Sequence, residues 1–112
     1  MIRKSRRAKA LDISPAVKKR VWERDGGRCV VCGSRINVMP NAHFIPRSQG
    51  GLGIEENIVT LCTEISENQC HRRFDFGGAE ERAAIGALIE DYLREQYPGW
   101  SKKELVYRKW QS

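Results

Sequence analysis

Four cysteines constrain the fold of this 112-residue chain more than any other feature. Cys29 and Cys32 form a CxxC pair followed by Gly33, and Cys62 and Cys70 form a second, more widely spaced pair. A chain of this length buries only a modest core, so a cross-link would add much to its stability. Four thiolates suit tetrahedral zinc, and a glycine lets the backbone turn tightly around the ion. The spacing therefore predicts a structural Zn²⁺ site with these four ligands.

Other uses of the cysteines are open at this point. They could be ordinary buried thiols, or Cys29 and Cys32 could be a redox pair, although the βαβ setting of such pairs is missing. His71 could replace Cys70 as the fourth zinc ligand. No apolar run is long enough to span a membrane, and no apolar segment follows the charged N-terminus. A cytoplasmic protein with reduced cysteines is therefore expected, which favours metal binding over disulfides.

The positive charge is concentrated at the N-terminus. The chain has 20 Lys and Arg against 14 Asp and Glu, and residues 1 to 28 contain ten basic and three acidic residues. A basic segment on a nearly neutral body predicts a polyanionic partner, and double-stranded DNA is the first candidate. The alternative for residues 1 to 10 is a solvated, disordered tail. The predicted DNA contacts are Arg3, Lys4, Arg6, Arg7, Lys18, Lys19, Arg47, Arg72 and Arg73.

Local signals divide the chain into three parts. Residues 1–13 are predicted to be a basic, flexible arm. Residues 14–78 are predicted to be the core, beginning with a helix that Ser14 caps, that has Pro15 in its first turn and that ends near Asp25. A strand over residues 36–45, a loop to Gly53, a short helix through Leu61 and a further helix over residues 70–76 follow.

Residues 79–112 are predicted to pack on this core. A long helix is expected over residues 79–97, and the tail from Trp100 to Trp110 is expected to fold back on the body. The predicted apolar positions of the helix are Ala84, Leu88, Ile89, Tyr92 and Leu93.

The segment from Asn41 to Asp75 holds both histidines of the chain, His43 and His71. A double glycine, Gly50-Gly51, and an asparagine that opens an apolar run, Asn57, lie between them. A structural core has no need for this mixture of residue types. The segment is therefore predicted to be the functional site of the chain.

The order of these motifs resembles that of the HNH endonuclease family. CxxC, then HFIPRSQGG, then NIVTLC, then Cys-His follow one another between Ser14 and Gly78, as they do in the small members from phages and prophages. The resemblance implies an α+β fold, a ββα-metal core flanked by helices, and cleavage of one DNA strand at a time. It also implies a phage or prophage setting in a bacterial cell, where phage terminase subunits are expected partners. A monomer is the simplest state for such a nicking enzyme.

The resemblance implies roles for three residues. His43 matches the general base that takes a proton from the attacking water, and imidazole titrates in the pH range that this role requires. Asn57 matches the asparagine that holds the loop orienting the base. His71 matches a ligand of the catalytic metal.

One position departs from the family pattern. Many members have Asp or His immediately before the base, whereas this chain has Ala42. Asp75 is the expected substitute ligand, since it lies four residues after His71 and would share a helix face with it. Asn41 is a weaker candidate. Such donors suit Mg²⁺ or Mn²⁺.

Purely structural roles for these residues are also open. His43 could be a strand histidine satisfied by hydrogen bonds, and Asp75 could pair with Arg72 or Arg73 on the helix surface. The competing function is a zinc-stapled DNA-binding module without turnover, in which Ala42 marks an inactive site.

Overall fold

The computed structural model describes residues 5 to 108. These residues form a small α+β domain with a radius of gyration of 14.0 Å, close to the value of about 13 Å expected for a compact domain of about 100 residues. The helices and strands are α1 (Arg6–Leu11), α2 (Pro15–Asp25), β1 (Val38–His43), β2 (Ile58–Cys62), α3 (Cys70–Phe76) and α4 (Ala79–Gln96). Short 3₁₀ turns cover Arg47–Gln49, Glu55–Asn57 and Lys102–Leu105.

Helix α2 begins and ends where the sequence predicts. The Ser14 hydroxyl accepts a hydrogen bond from the backbone N–H of Val17 at 3.2 Å, and Pro15 occupies the first turn. Gly26 ends the helix with a left-handed φ of 66°, which a glycine adopts without strain. The apolar stripe of α2 packs its buried Val17 and Val21 against Ile58 of β2.

The prediction of a flexible arm over residues 1–13 is wrong for the described part of that segment. Residues Arg6–Leu11 form helix α1, capped by the Ser5 hydroxyl, which accepts from the Ala8 N–H. Arg, Ala, Lys and Leu are strong helix formers. Leu11 is only 2% exposed, so the helix has an apolar anchor that the charge pattern does not reveal. Arg3 and Lys4 lie outside the described residues.

Strands β1 and β2 form an antiparallel ladder that an irregularity interrupts. Met39 pairs with Leu61 and Ala42 pairs with Val59, so β1 holds one more residue than β2 between the two pairs. The extra residue lies at Pro40 or Asn41, and proline cannot donate a ladder hydrogen bond. Ala42 is fully buried in the core, while its neighbours Asn41 and His43 both line a cleft, in keeping with the alternation of side chains along a strand.

The prediction of a short helix from Glu55 or Glu56 through Leu61 is also wrong. Only the 3₁₀ turn Glu55–Asn57 is helical, and strand β2 (Ile58–Cys62) follows it with all five residues buried. A short, continuously apolar run has no periodicity that separates strand from helix. The β-branched residues Ile58, Val59 and Thr60 favour the strand.

Helices α3 and α4 match their predicted bounds closely, and α4 uses a shifted face. Its buried residues are Ile85, Ile89 and Leu93, whereas Ala84 is exposed and Leu88 is 53% exposed. The tail folds back as predicted at Trp100, whose indole N–H donates to the Glu56 carbonyl at 2.7 Å. Trp110 lies outside the described residues.

The buried residues place the sheet between helices. The main core cluster joins Val59 and Leu61 of β2 to the apolar face of α4 and to Trp100, and it includes the buried cysteines. Helix α3 packs on both β2 and α4. Among the described helices, none has the length and hydropathy needed to cross a membrane.

Candidate functional site

The four cysteines meet at one point of the fold. Their sulfur atoms all lie within 4.8 Å of one another, although the cysteines come from the turn after α2, the end of β2 and the start of α3. We call Cys29, Cys32, Cys62 and Cys70 the cysteine cluster. Gly33 has a φ of 78°, the left-handed conformation predicted for the turn beside the CxxC pair.

Distances within the cysteine cluster fit a metal ion and not a disulfide. The sulfur atoms of Cys32 and Cys62 are 3.8 Å apart, far beyond the S–S bond length of about 2.0 Å. Corners of a tetrahedron with metal–sulfur bonds of about 2.3 Å are separated by about 3.8 Å. The cluster can therefore hold a metal ion such as zinc.

Backbone N–H groups point at the sulfur atoms. The N–H of Cys70 donates to the sulfur of Cys62 at 3.1 Å. Burial acts to raise the pKa of Cys32, but hydrogen bonds from Asn68, Ser34 and the neighbouring cysteines outweigh it and lower that pKa to about 7. Burial raises the pKa of Cys29 and of Cys70. A cation would be needed to hold all four groups as thiolates.

A separate cleft of about 780 Å³ holds both histidines. Its lining includes His43 and Asn41 of β1, and His71 and Asp75 of α3. We call it the His43 cleft. The adjacent residues Cys70 and His71 belong to different sites: Cys70 is in the cysteine cluster, and His71 lines the His43 cleft. A zinc site with His71 in place of Cys70 does not fit this arrangement.

The imidazole of His43 is half-buried and is held by a hydrogen bond to the backbone. Its Nε2 atom lies 2.9 Å from the carbonyl oxygen of Leu11. A carbonyl only accepts hydrogen bonds, so Nε2 carries the proton and the neutral ring keeps its lone pair on Nδ1. Burial lowers the pKa of His43, and the bond to Leu11 opposes that shift. The neutral, proton-accepting form is therefore favoured near pH 7.

His71 and Asp75 lie side by side on α3. The Nε2 of His71 is 3.2 Å from a carboxylate oxygen of Asp75, as the four-residue spacing predicts. The other interpretation of Asp75, a pair with Arg72 or Arg73, does not hold, because Arg72 pairs with Glu64 and Arg73 pairs with Glu81. An imidazole and a carboxylate thus share one edge of the His43 cleft.

Asn41 is a stronger candidate for a metal ligand in the structure than in the sequence. Its side-chain oxygen is buried and has no hydrogen-bond partner among the described residues. An unsatisfied buried acceptor costs about 1–3 kcal/mol, so such a group calls for an explanation. Ala42 is 0% exposed in the core, so a ligand at that position would not reach the cleft. The residue before it, Asn41, lines the cleft instead.

Asn57 is fully buried and binds the loop that follows β1. Its side-chain oxygen accepts from the Ile45 N–H at 2.8 Å, and its amide nitrogen donates to the carbonyls of Ile45 and Leu52 at 3.1 and 2.9 Å. Gly51 passes so close that a Cβ there would lie 1.6 Å from the Ile45 carbonyl oxygen. This explains the second glycine of the Gly50-Gly51 pair.

The seven predicted DNA contacts that lie within the described residues fall into two groups. Arg6, Arg7, Lys18 and Lys19 are exposed on α1 and α2. Arg47, Arg72 and Arg73 each pair with a carboxylate of the chain, and Arg47 binds Asp12 at 3.0 Å.

Three features of the cleft have no signal in the sequence. Arg82 of α4 lines it, and so does Phe76 of α3, a residue that is 81% exposed. Arg82 belongs to no motif, because α4 reaches the cleft only through tertiary packing, and Phe76 lies at the end of α3, after the residues that carry the motif. The third feature is the Leu11 carbonyl, a backbone group that residue patterns cannot reveal.

Comparison of the chain with protein-family models, with curated proteins and with solved structures finds no match. The chemistry of the cysteine cluster and of the His43 cleft is therefore the basis for assigning a function.

Proposed function

We propose that this chain is a metal-dependent DNA endonuclease of the HNH type that nicks double-stranded DNA. The observation that carries the proposal is the His43 cleft, in which the imidazole of His43 lines the same cavity as His71, Asp75 and Asn41, whose buried side-chain oxygen is unsatisfied among the described residues. The order β1, β2, α3 is consistent with a ββα-metal core.

His43 would act as the general base. Its Nε2–H is held by the Leu11 carbonyl, so Nδ1 is the atom free to take a proton from a water molecule. The lowered pKa of His43 keeps this lone pair available at neutral pH. Asn57 would fix the loop next to His43 through its three hydrogen bonds to Ile45 and Leu52.

The donor set of the cleft fits a hard divalent cation. His71, Asp75 and Asn41 offer an imidazole nitrogen, a carboxylate and an amide oxygen, which suit Mg²⁺ or Mn²⁺. When bound, such an ion would supply Lewis-acid stabilisation of charge on the phosphodiester.

The cysteine cluster would hold structural Zn²⁺. It ties the turn after α2 to β2 and to the first residue of α3, so it fixes the helix that presents His71 and Asp75. Four thiolates close the coordination shell, so this zinc would have no open position for substrate.

DNA is the substrate that the charge distribution supports. The chain carries a net charge of +6, and exposed cations on α1 and α2 include Arg6, Arg7, Lys18 and Lys19. Contacts to phosphates would give affinity and salt dependence without selecting a base sequence.

Nicking of supercoiled plasmid tests the proposal. The wild-type protein is incubated with Mg²⁺, with Mn²⁺ or with EDTA, beside the variant His43→Ala. We expect relaxed circles with a divalent metal and a loss of at least about a hundredfold in His43→Ala, the usual contribution of a general base. DNA binding without cleavage in either metal would refute the enzyme and leave a zinc-stapled DNA-binding module.

A further inference from the structure

Helix α1 is docked on the loop that leads out of the His43 cleft. The Gly53 N–H donates to the carbonyl of Ala10 at 2.9 Å, and Leu11 is 2% exposed. The contact at Gly53 is tight, because a Cβ there would lie 2.0 Å from the carbonyl oxygen of Asp12. Residues 10 to 12 therefore rest directly on the backbone of the loop.

The last turn of α1 and the cleft share one hydrogen-bond acceptor. The Leu11 carbonyl oxygen accepts hydrogen bonds from Nε2 of His43 at 2.9 Å and from Nη1 of Arg47 at 2.8 Å. A carbonyl oxygen has two lone pairs, and these two donors use both. Arg47 also reaches the carboxylate of Asp12 at 3.0 Å, so its guanidinium clamps the end of α1 to the loop.

We propose that residues 6 to 12 are a positioning element of the active site, and that Arg47 is a positioning residue rather than a DNA contact. The Leu11 carbonyl fixes the ring orientation and the tautomer of His43, so that Nδ1 and not Nε2 faces the substrate as the free base. Arg47 holds that carbonyl in place. This inference rests on the proposed function for its consequence in catalysis, but the tautomer itself can be observed without any catalysis.

The sequence offers two ways to disturb this contact. Gly53→Ala adds only a methyl group, directed at the backbone of Asp12, and removes no polar group from the cleft. Arg47→Met removes both donors of the guanidinium and keeps an apolar stem of similar length. Gly78→Ala is the matched control, since a Cβ at Gly78 meets nothing within 4 Å and its φ is −63°.

The experiment records long-range ¹H–¹⁵N spectra of the full chain with ¹⁵N-labelled histidine, at a pH where the rings are neutral. The chain has only two histidines, so His43→Ala assigns the signals. We expect the Nε2–H tautomer for His43 in the wild type and in Gly78→Ala, and a mixture of tautomers in Gly53→Ala and Arg47→Met. The rate of plasmid nicking should fall at least about tenfold in Gly53→Ala and Arg47→Met, because a misoriented general base loses part of its contribution to catalysis.

Different outcomes separate the two proposals. If the wild-type protein never nicks DNA but the tautomer of His43 shifts in the two variants, the positioning contact is supported and the nuclease is refuted. An unchanged tautomer in both variants refutes the positioning element, and so does a shifted tautomer with full nicking. A loss of DNA affinity in Arg47→Met with the tautomer unchanged would show that Arg47 is a DNA contact. If Gly53→Ala does not fold, Arg47→Met decides.

Discussion

The side chain of Asn57 binds both polar groups of the Ile45 backbone, accepting from the N–H at 2.8 Å and donating to the carbonyl at 3.1 Å. This pairing replaces a strand partner just after β1 ends, at the point where the chain turns away from the sheet. A third bond, to the Leu52 carbonyl at 2.9 Å, connects the two ends of the loop. One buried amide thus holds the segment that adjoins His43.

Replacing Asn57 with alanine should destabilise the protein and impair nicking. The variant leaves an N–H and two carbonyls near the core without their partner, at a cost of about 3 kcal/mol in the free energy of unfolding. Urea denaturation measures this cost. Gln96→Ala, at the exposed end of α4, is the control and should change the free energy by less than about 0.5 kcal/mol. Equal stabilities of Asn57→Ala and the control would contradict the clamp.

Removal of zinc should unfold the domain. The cysteine cluster joins three separate segments, and structural zinc contributes on the order of 10 kcal/mol to the folding of small domains. We expect purified protein to contain a single zinc ion per chain, and its melting temperature to fall sharply in a strong chelator. Cobalt substitution should give the absorption of a tetrahedral thiolate site, and Cys62→Ser should weaken it. A melting temperature unaffected by the chelator would exclude this role.

Local signals were sufficient for part of the fold. The cap at Ser14, the proline after it and the glycine at position 26 define α2 because each acts within one turn of the chain. The cysteine spacing likewise indicates the cysteine cluster, since four soft ligands have few other uses in one small domain. Helix α3 follows from the spacing of its residues and from the glycines after Phe76.

Tertiary contacts decided the remainder. Ile58–Cys62 became a strand because β1 pairs with it, and nothing in a five-residue apolar run specifies that partner. Helix α1 is ordered by the burial of Leu11 and by the fit of Asp12 over Gly53, and the charges around it predicted a free arm instead. Asn41 lines the cleft and Ala42 is buried because of the faces of β1 that they occupy, and these faces are set by the strand register.

Replacing Arg24 with methionine should be among the most destabilising changes in the chain. Arg24 donates to the carboxylate of Asp25, which is 5% exposed, and to the carbonyls of Glu55 and Ile58. Loss of the arginine leaves a buried carboxylate without its cation, at a cost of about 3–5 kcal/mol. Arg20→Met on the same helix removes an exposed pair with Glu55 and should cost at most about 1 kcal/mol. Similar losses in the two variants would refute a special role for Arg24.

Tyr92 should make the protein sensitive to alkaline pH. Burial and a 2.6 Å hydrogen bond to Asp25 raise the pKa of Tyr92 to about 12, above the value of about 10 in an unfolded chain. The stability that this proton provides is complete below about pH 10 and is lost as the pH rises toward 12, because the unfolded state releases the proton first. Between about pH 9 and pH 11, the free energy of unfolding should therefore fall more in the wild type than in Tyr92→Phe. Parallel pH profiles would contradict the shift.

Asp75 and Asn41 should determine the affinity for the catalytic metal. Calorimetric titration of the zinc-loaded protein with Mn²⁺ should show at least about a tenfold loss of Mn²⁺ affinity in Asp75→Ala. Asp91→Ala is the control, an exposed carboxylate of α4 outside the cleft lining. Asn41→Asp places a charged oxygen where the unsatisfied amide oxygen lies, so it should bind Mn²⁺ more tightly than the wild type. If Asp75→Ala leaves Mn²⁺ affinity and nicking unchanged, Asp75 is not the ligand that substitutes for the Asp or His absent at position 42. A loss of affinity in Asn41→Asp would exclude Asn41 in turn.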